Sequence, residues 1–166
     1  GDVRFRGEVL SPALANRGRE QLRSIQMIYQ MPDVALNPRQ KISEIIGRPL
    51  EFYLGVKGEE KSAAINRLLE QIELPTDYAD RYPAQLSGGE KHRICIARAL
   101  AAEPDLIICD EVTSALDQLV AEGILELLQN LQNQLGVSYL FITHDLATVK
   151  AIADSIVVMY QGRVVE

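Results

Sequence analysis

The sequence is poor in the residues that mark metal-binding or disulfide-rich proteins. It has no Trp and only two Cys, Cys95 and Cys109, among its 166 residues. The two thiols belong to no CxxC pattern or Cys/His cluster, which argues against a zinc site. Each lies in an apolar stretch, so we expect two reduced thiols in the core of a cytosolic protein.

The sequence also lacks long apolar runs and an excess of basic residues. No run is long enough to span a bilayer, and residues 1–4 do not begin a signal peptide. Since residue 1 is Gly rather than Met, we expect the chain to begin inside a longer protein. Lys and Arg number 17 against 23 Asp and Glu, a net charge of −6. This charge argues against nucleic acid as a partner, because non-specific binding needs basic side chains that displace counterions.

The apolar pattern predicts an α/β core that contains a helical insertion. Two short strands are predicted at Val3–Phe5 and Ser24–Tyr29, and Pro32 and Pro38 predict a loop over residues 30–40. Residues 41–104 have apolar side chains at helical spacing and are predicted to be wholly helical. Beyond them strands and helices alternate, as in a parallel sheet. The predicted elements there are a strand Leu106–Cys109, a helix Val120–Leu135, a strand Ser138–Ile142, a short helix between Leu146 and Ala153, and a hairpin at Gln161-Gly162.

A helix start at residues 87–90 has the composition of an anion-binding turn. Ser87 is a good N-cap, and Glu90 completes a capping box with it. Gly88 and Gly89 destabilise a helix but leave its free N–H groups open to an anion. A plain capped helix with no ligand is the other interpretation.

Polar side chains follow several predicted strands directly. Asp110 and Glu111 come after a buried strand, where an open α/β sheet presents functional groups, and they suit Mg²⁺ binding and activation of water. Gln30 and His144 follow two other strands. Taken singly, each of these residues could equally be part of a solvated or structural loop.

Together, these residues and their order resemble the nucleotide-binding domain of ABC ATPases. The resemblance covers essentially the whole chain. It implies an α/β fold with a P-loop NTPase core, truncated at the N-terminus, and with an inserted helical subdomain. The matching segments are Gln30 for the Q-loop, Leu86–Glu90 for the signature motif, Leu106–Glu111 for Walker B, Ser114–Asp117 for the D-loop, and His144 for the switch histidine.

The resemblance implies ATP and Mg²⁺ as cofactors and assigns a hydrolysis site. Asp110 would hold Mg²⁺ through water, and Glu111 would polarise the attacking water. His144 would contact the γ-phosphate. Gln30 would sense Mg²⁺ and couple the site to a partner subunit.

The resemblance also implies a second ATPase subunit in a head-to-tail dimer. Ser87, Gly88, Gly89 and Glu90 would form the signature surface that binds ATP held by the other subunit. Asp117 would reach across the same interface. The chain would then divide into residues 1–40 (core strands and Q-loop), 41–104 (helical subdomain with the signature) and 105–166 (Walker B, D-loop and switch histidine).

The sequence departs from the family's pattern in one important way. A phosphate-binding GxxxxGK[ST] loop is missing, and the nearest segment, Gly55–Ser62, has Glu60 where the second Gly is needed. We expect that segment to be a solvated linker and the chain to be a fragment without the Walker A part, inactive by itself. Smaller departures are His92 in place of Gln and Val112 in place of Pro.

Finer features indicate a subfamily. Ile25–Gln30 followed by Ala35–Arg39 is similar to the Q-loop region of dipeptide, oligopeptide and nickel importers. The implied function is the ATP-hydrolysing subunit of an importer with transmembrane permease partners, peripheral on the inner face of the cytoplasmic membrane. A soluble ABC ATPase and an inactive interaction module are the alternatives.

Overall fold

The computed structural model describes residues 1–114, 116–145, 150 and 152–166. The described strands and α-helices, in chain order, are β1 (Arg4–Phe5), β2 (Glu8–Val9), α1 (Arg19–Ser24), β3 (Ile25–Ile28), α2 (Pro32–Ala35), α3 (Ile42–Pro49), α4 (Gly58–Gln71), α5 (Gly88–Leu100), β4 (Leu106–Asp110), α6 (Gln118–Leu135), β5 (Ser138–Ile142), β6 (Met159–Tyr160) and β7 (Arg163–Val164). A π-helical turn follows α3 at Leu50–Leu54, and 3₁₀ turns lie at Leu14–Asn16, Thr76–Asp80 and Pro83–Gln85.

Three parallel strands form the central sheet in the order β3-β4-β5. Leu106 of β4 pairs with Ile25 of β3 and with Ser138 of β5, so the carboxyl ends of the strands meet at one edge. The two remaining pairs, β1-β2 and β6-β7, are antiparallel hairpins. The predicted hairpin at Gln161-Gly162 is confirmed, and the first ten residues form a strand pair.

Helix α5 is the centre of the hydrophobic core. Seven of its thirteen residues are buried, on more than one side of the helix. Cys95 and Cys109 are free and buried, as predicted, and burial raises the pKa of the Cys95 thiol to about 11. The largest fully buried side chains come from β3, α3, α4 and its C-cap, α5, β4 and α6: Ile28, Ile42, Ile46, Leu69, Ile72, Ile94, Ile96, Ile107, Ile124, Leu128 and Leu131.

As predicted, the regular elements within residues 41–104 are all helical, although non-helical connections join them, and two local predictions are wrong. Residues 32–35 form the short helix α2, with Pro32 in its first turn. Pro is favoured there because its fixed φ suits a helix start and its missing N–H would be unpaired anyway. The linker predicted at Gly55–Ser62 is also shorter than expected, because α4 already begins at Gly58. The short helix predicted between residues 146 and 153 lies mostly outside the described residues.

The segment that most nearly fits a phosphate-binding loop has a different structure. Gly55 is a left-handed cap after the π-helical turn, and Gly58–Ser62 belong to the first turns of α4. A helical segment, not a buried strand, precedes it. This agrees with the prediction that Gly55–Ser62 does not hold phosphate. Among the described residues, none of the helices has the length and apolar character that crossing a bilayer requires.

Candidate functional site

The carboxyl edge of the sheet brings together three of the predicted site residues. Gln30 follows β3, Glu111 follows β4 and His144 follows β5. The Gln30 side-chain amide donates to Glu111 Oε2 at 2.7 Å, and His144 Nδ1 lies 3.0 Å from Glu111 Oε1. Because a carboxylate only accepts, His144 donates this bond through an Nδ1–H. Glu111 is therefore the hub of the cluster, with one partner on each oxygen.

The backbone at Glu111 is held in a conformation that non-glycine residues rarely adopt. Its φ is 48°, in the left-handed region, and its N–H donates to the Ile142 carbonyl at 2.9 Å. Ser114 closes the turn through Oγ, which donates to the Glu111 carbonyl at 3.0 Å and accepts from the Gln30 amide at 3.0 Å. Strain of this kind costs about 1–3 kcal/mol and is concentrated at functional sites, where the surroundings over-determine it.

The cluster is open to solvent on the His144 side. The His144 side chain is 76% exposed and that of Glu111 is 29% exposed. A cavity of about 520 Å³ adjoins it, bordered by Ser114, Thr143 and His144 on one side and by α6 on the other. A carboxylate oriented by two neighbours and reachable by water can act as a general base toward that water.

Asp110 has the position and the chemistry of a magnesium ligand. It is the last residue of β4, is half-buried, and pairs in register with Ile142. Within the described part of the chain, no group of three His, Cys, Asp or Glu side chains converges on a metal position. Mg²⁺ is commonly held by one or two protein oxygen ligands together with water and substrate phosphates, so Asp110 and Gln30 fit a nucleotide-bound Mg²⁺.

The predicted capping box at the start of α5 is confirmed. Ser87 Oγ accepts from the Glu90 N–H at 3.4 Å, and Glu90 Oε2 accepts from the Ser87 N–H at 2.7 Å. The other Glu90 oxygen accepts from the Tyr78 hydroxyl. These hydrogen bonds lower the pKa of Glu90 below its ordinary value, and the bond from Tyr78 has the largest effect. They tie Glu90 to the shape of the turn, and nucleotide contact by Ser87, Gly88, Gly89 and Glu90 stays a prediction.

The two glycines of this turn have different surroundings. A Cβ on Gly88 would meet nothing within 4 Å, so its face of the turn is open to an anion. A Cβ on Gly89 would lie 2.8 Å from Val120 Cγ1 on α6. Gly89 is therefore needed for the packing of α5 against α6, a requirement that the sequence alone does not reveal.

Asp117 caps the neighbouring helix. Its carboxylate accepts from the Val120 N–H at 3.1 Å at the start of α6. The contact between Gly89 and Val120 therefore places the starts of α5 and α6 side by side. In the predicted D-loop, Ala115 lies outside the described residues. In the part of the chain that the structure describes, no hydrogen bond joins the Ser87–Glu90 turn to the Glu111 cluster.

Three contacts near the site were not found from the sequence. Tyr78 binds Glu90, Lys91 pairs with Asp33, and the Ser114 hydroxyl bridges to Gln30. The first two join residues far apart in sequence, for which no local pattern exists. A hydroxyl three residues after Glu111 was a usable signal for the third.

The comparisons with known proteins decide the family. Residues 1–114 match a family model described as "ABC transporter". The chain belongs to the ABC transporter family. The solved structures described below confirm the α/β fold and the P-loop NTPase class predicted from the sequence.

Curated relatives in this family include import proteins. Over 166 residues the chain is 42% identical to the glutathione import ATP-binding protein GsiA of Escherichia coli, covering all of the chain and 27% of GsiA. It is 41% identical to a Brucella abortus protein provisionally named a peptide import ATP-binding protein, covering 50% of that protein. The chain thus spans half or less of the length of these curated relatives.

Solved structures share the fold of this chain. The ATP-binding cassette MJ0796, in a dimeric post-hydrolysis state bound to ADP and Pi, is 30% identical with a TM-score of 0.77, over 91% of this chain and 66% of that one. CbiO1 of Clostridium perfringens, part of the ABC transporter complex cbiONQ, is 26% identical with a TM-score of 0.85, over 98% of this chain and 63% of that one.

Proposed function

We propose that the chain is part of the ATP-binding and ATP-hydrolysing subunit of an ABC importer for peptides or a similar small solute. The observation that carries this proposal is the convergence of Gln30, Glu111 and His144 at one sheet edge. Asp110 and Gln30 would hold Mg²⁺, which neutralises phosphate charge when bound. Glu111 would accept a proton from the attacking water, and His144 would orient both the carboxylate and the γ-phosphate.

The starts of α5 and α6 form the proposed surface for a second ATPase subunit. Ser87, Gly88 and Gly89 would bind the phosphates of ATP held by that subunit, since a helix start with free N–H groups attracts anions. Glu90 would hold the shape of this turn, and Asp117 would reach across the same interface. The dimeric state of the related cassette MJ0796 is in line with such a pairing. The dimer would sit on the inner face of the cytoplasmic membrane against permease subunits.

The proposed division of labour follows the chain. Residues 1–40 supply core strands and the Q-loop, 41–104 the helical subdomain, and 105–166 the remaining core. Nucleic acid is not a proposed partner. The 166 residues contain no GxxxxGK[ST] loop, and we propose that by themselves they do not turn over ATP.

A chimera tests this function. The matching 166-residue segment of GsiA is replaced by this chain, and glutathione uptake is measured in Escherichia coli cells that lack their own GsiA. We expect uptake to be restored and to disappear in a Glu111→Gln chimera. A folded chimera that hydrolyses ATP without supporting uptake would favour the soluble ATPase. A folded chimera that binds no ATP would favour an interaction module.

A further inference from the structure

Side chains of α5 hold the segment that carries Gln30. Lys91 Nζ pairs with Asp33 Oδ1 at 2.6 Å, and the Arg98 guanidinium donates to the Ala35 carbonyl. Lys91 and Arg98 are seven residues apart, about 10 Å along the helix axis. They thus attach the short helix α2 to α5 at two points.

The other end of the same segment lies in the hydrolysis site. Gln30 precedes α2 by two residues and bonds to Glu111 at 2.7 Å and to Ser114 at 3.0 Å. Pro32 in the first turn of α2 fixes one backbone angle of the short connection. Because this connection is short and constrained, a shift of α2 also moves Gln30.

A buried imidazole links α5 to its own first turn. His92 is 2% exposed, and its Nδ1–H donates to the Gly88 carbonyl at 3.1 Å. Among the described residues its Nε2 has no hydrogen-bond partner, so the ring bonds only to the first turn of its own helix.

We propose that Lys91, through its ion pair with Asp33, positions Gln30 on Glu111 and so couples the signature turn to the hydrolysis site within one chain. The side-chain ammonium of Lys91 pairs with Asp33 and not with Glu111 or with the side chains of the proposed phosphate surface, so Lys91 is a positioning residue. The inference rests on the proposed function, because the link between α5 and Gln30 bears on ATP hydrolysis only if Glu111 belongs to the hydrolysis site.

Burial and charge explain why Lys91 suits this position. Its side chain is only 18% exposed, whereas that of Asp33 is 70% exposed. The stem of a long basic residue packs against apolar surface while its ammonium group reaches one exposed partner. Such a pair contributes modestly to stability, so the link can open and close without unfolding the chain. Coupling of this kind is reciprocal, so a change that releases Gln30 from Glu111 also weakens the ion pair between Lys91 and Asp33.

The test is made on the 166-residue chain without nucleotide. NMR measures the chemical shifts and solvent-exchange rates of the Gln30 side-chain amide protons in the parent and in Lys91→Met. The matched control is Lys41→Met, which breaks a second Lys–Asp pair that is more exposed, Lys41 with Asp80 at 2.9 Å. Far-UV circular dichroism confirms that each variant is folded.

We expect Lys91→Met to shift the Gln30 amide signals and to raise their exchange rate about two- to fivefold, the range that a partly exposed ion pair supports. The control should leave both unchanged. The double change Lys91→Glu with Asp33→Lys should restore parental values, a rescue that a packing role alone would not give.

Two results would overturn the inference. One is an unchanged Gln30 amide in folded Lys91→Met, or an equal change in the control. The other is a charge reversal that fails to restore the signals. Because no nucleotide is present, either result leaves the proposed ATPase function standing. Failure of that function would appear in uptake by the GsiA chimera and not in the Gln30 amide signals, so the two failures are distinguishable.

Discussion

Replacing Gly89 by Ala should destabilise the chain, whereas the same change at Gly88 should not. An added Cβ at Gly89 would lie 2.8 Å from Val120 Cγ1, and one at Gly88 would meet nothing within 4 Å. Val120 cannot easily move its methyl away, because a β-branched side chain in a helix is confined to one main rotamer. Its backbone N–H is also held by Asp117 at the start of α6.

The expected magnitude follows from two opposing effects. Ala in place of Gly favours the middle of a helix by roughly 0.5–1 kcal/mol, and whatever part of this gain applies in the first turn is common to both variants. Overpacking at a tight contact costs about 1–3 kcal/mol, and only Gly89→Ala incurs it. The free energies of unfolding of the two variants should therefore differ by about 1–3 kcal/mol, with Gly88→Ala the more stable.

Urea denaturation of both variants measures this difference directly. The double variant Gly89→Ala with Val120→Ala should recover much of the loss, because it removes the methyl that the new Cβ meets. Equal midpoints for Gly88→Ala and Gly89→Ala would refute the packing argument. Gly89 would then be explained by ligand approach alone.

Three further predictions concern single side chains. Asp117→Ala should lower the free energy of unfolding in urea by about 1 kcal/mol through loss of an N-cap, while Asp117→Asn stays near the parent. Burial lowers the pKa of His92 below 6.5, so the folded state resists protonation and the free energy of unfolding falls as the pH drops below 6.5. In urea melts, His92→Gln should lose less stability than the parent between pH 7 and pH 5. The same dependence of stability on pH in both proteins would contradict this. Tyr78→Phe should raise the pKa of Glu90 toward its ordinary 4.5 in an NMR titration, and should remove stability that is present above pH 4.5 and lost below it.

Much of the architecture could be predicted because local patterns determine it. The strand Ser138–Ile142 and the helix ending before Gly136 were recognised from apolar spacing and a left-handed cap. The capping box at Ser87 follows in the same way from the local sequence. The order of polar residues after strands indicated the site, since the carboxyl ends of parallel strands meet at one edge.

What could not be predicted depends on tertiary contacts. Lys91 meets Asp33 across 58 positions, and Gly89 meets Val120 across two helices. No periodic pattern in the sequence predicts contacts of this kind. Pro32 predicts a loop in place of α2 because Pro interrupts regular structure, although Pro is also a favoured first residue of a helix.

The most direct test of the central claim is ATP turnover by the purified GsiA chimera, compared with its Glu111→Gln variant under Mg²⁺. The account predicts that both bind ATP with similar affinity and that turnover falls about 10²–10⁴-fold in the variant, as expected for loss of a general base. Turnover close to that of the unsubstituted chimera, in a folded variant that binds ATP, would show that the Gln30–Glu111–His144 cluster is not the hydrolysis site.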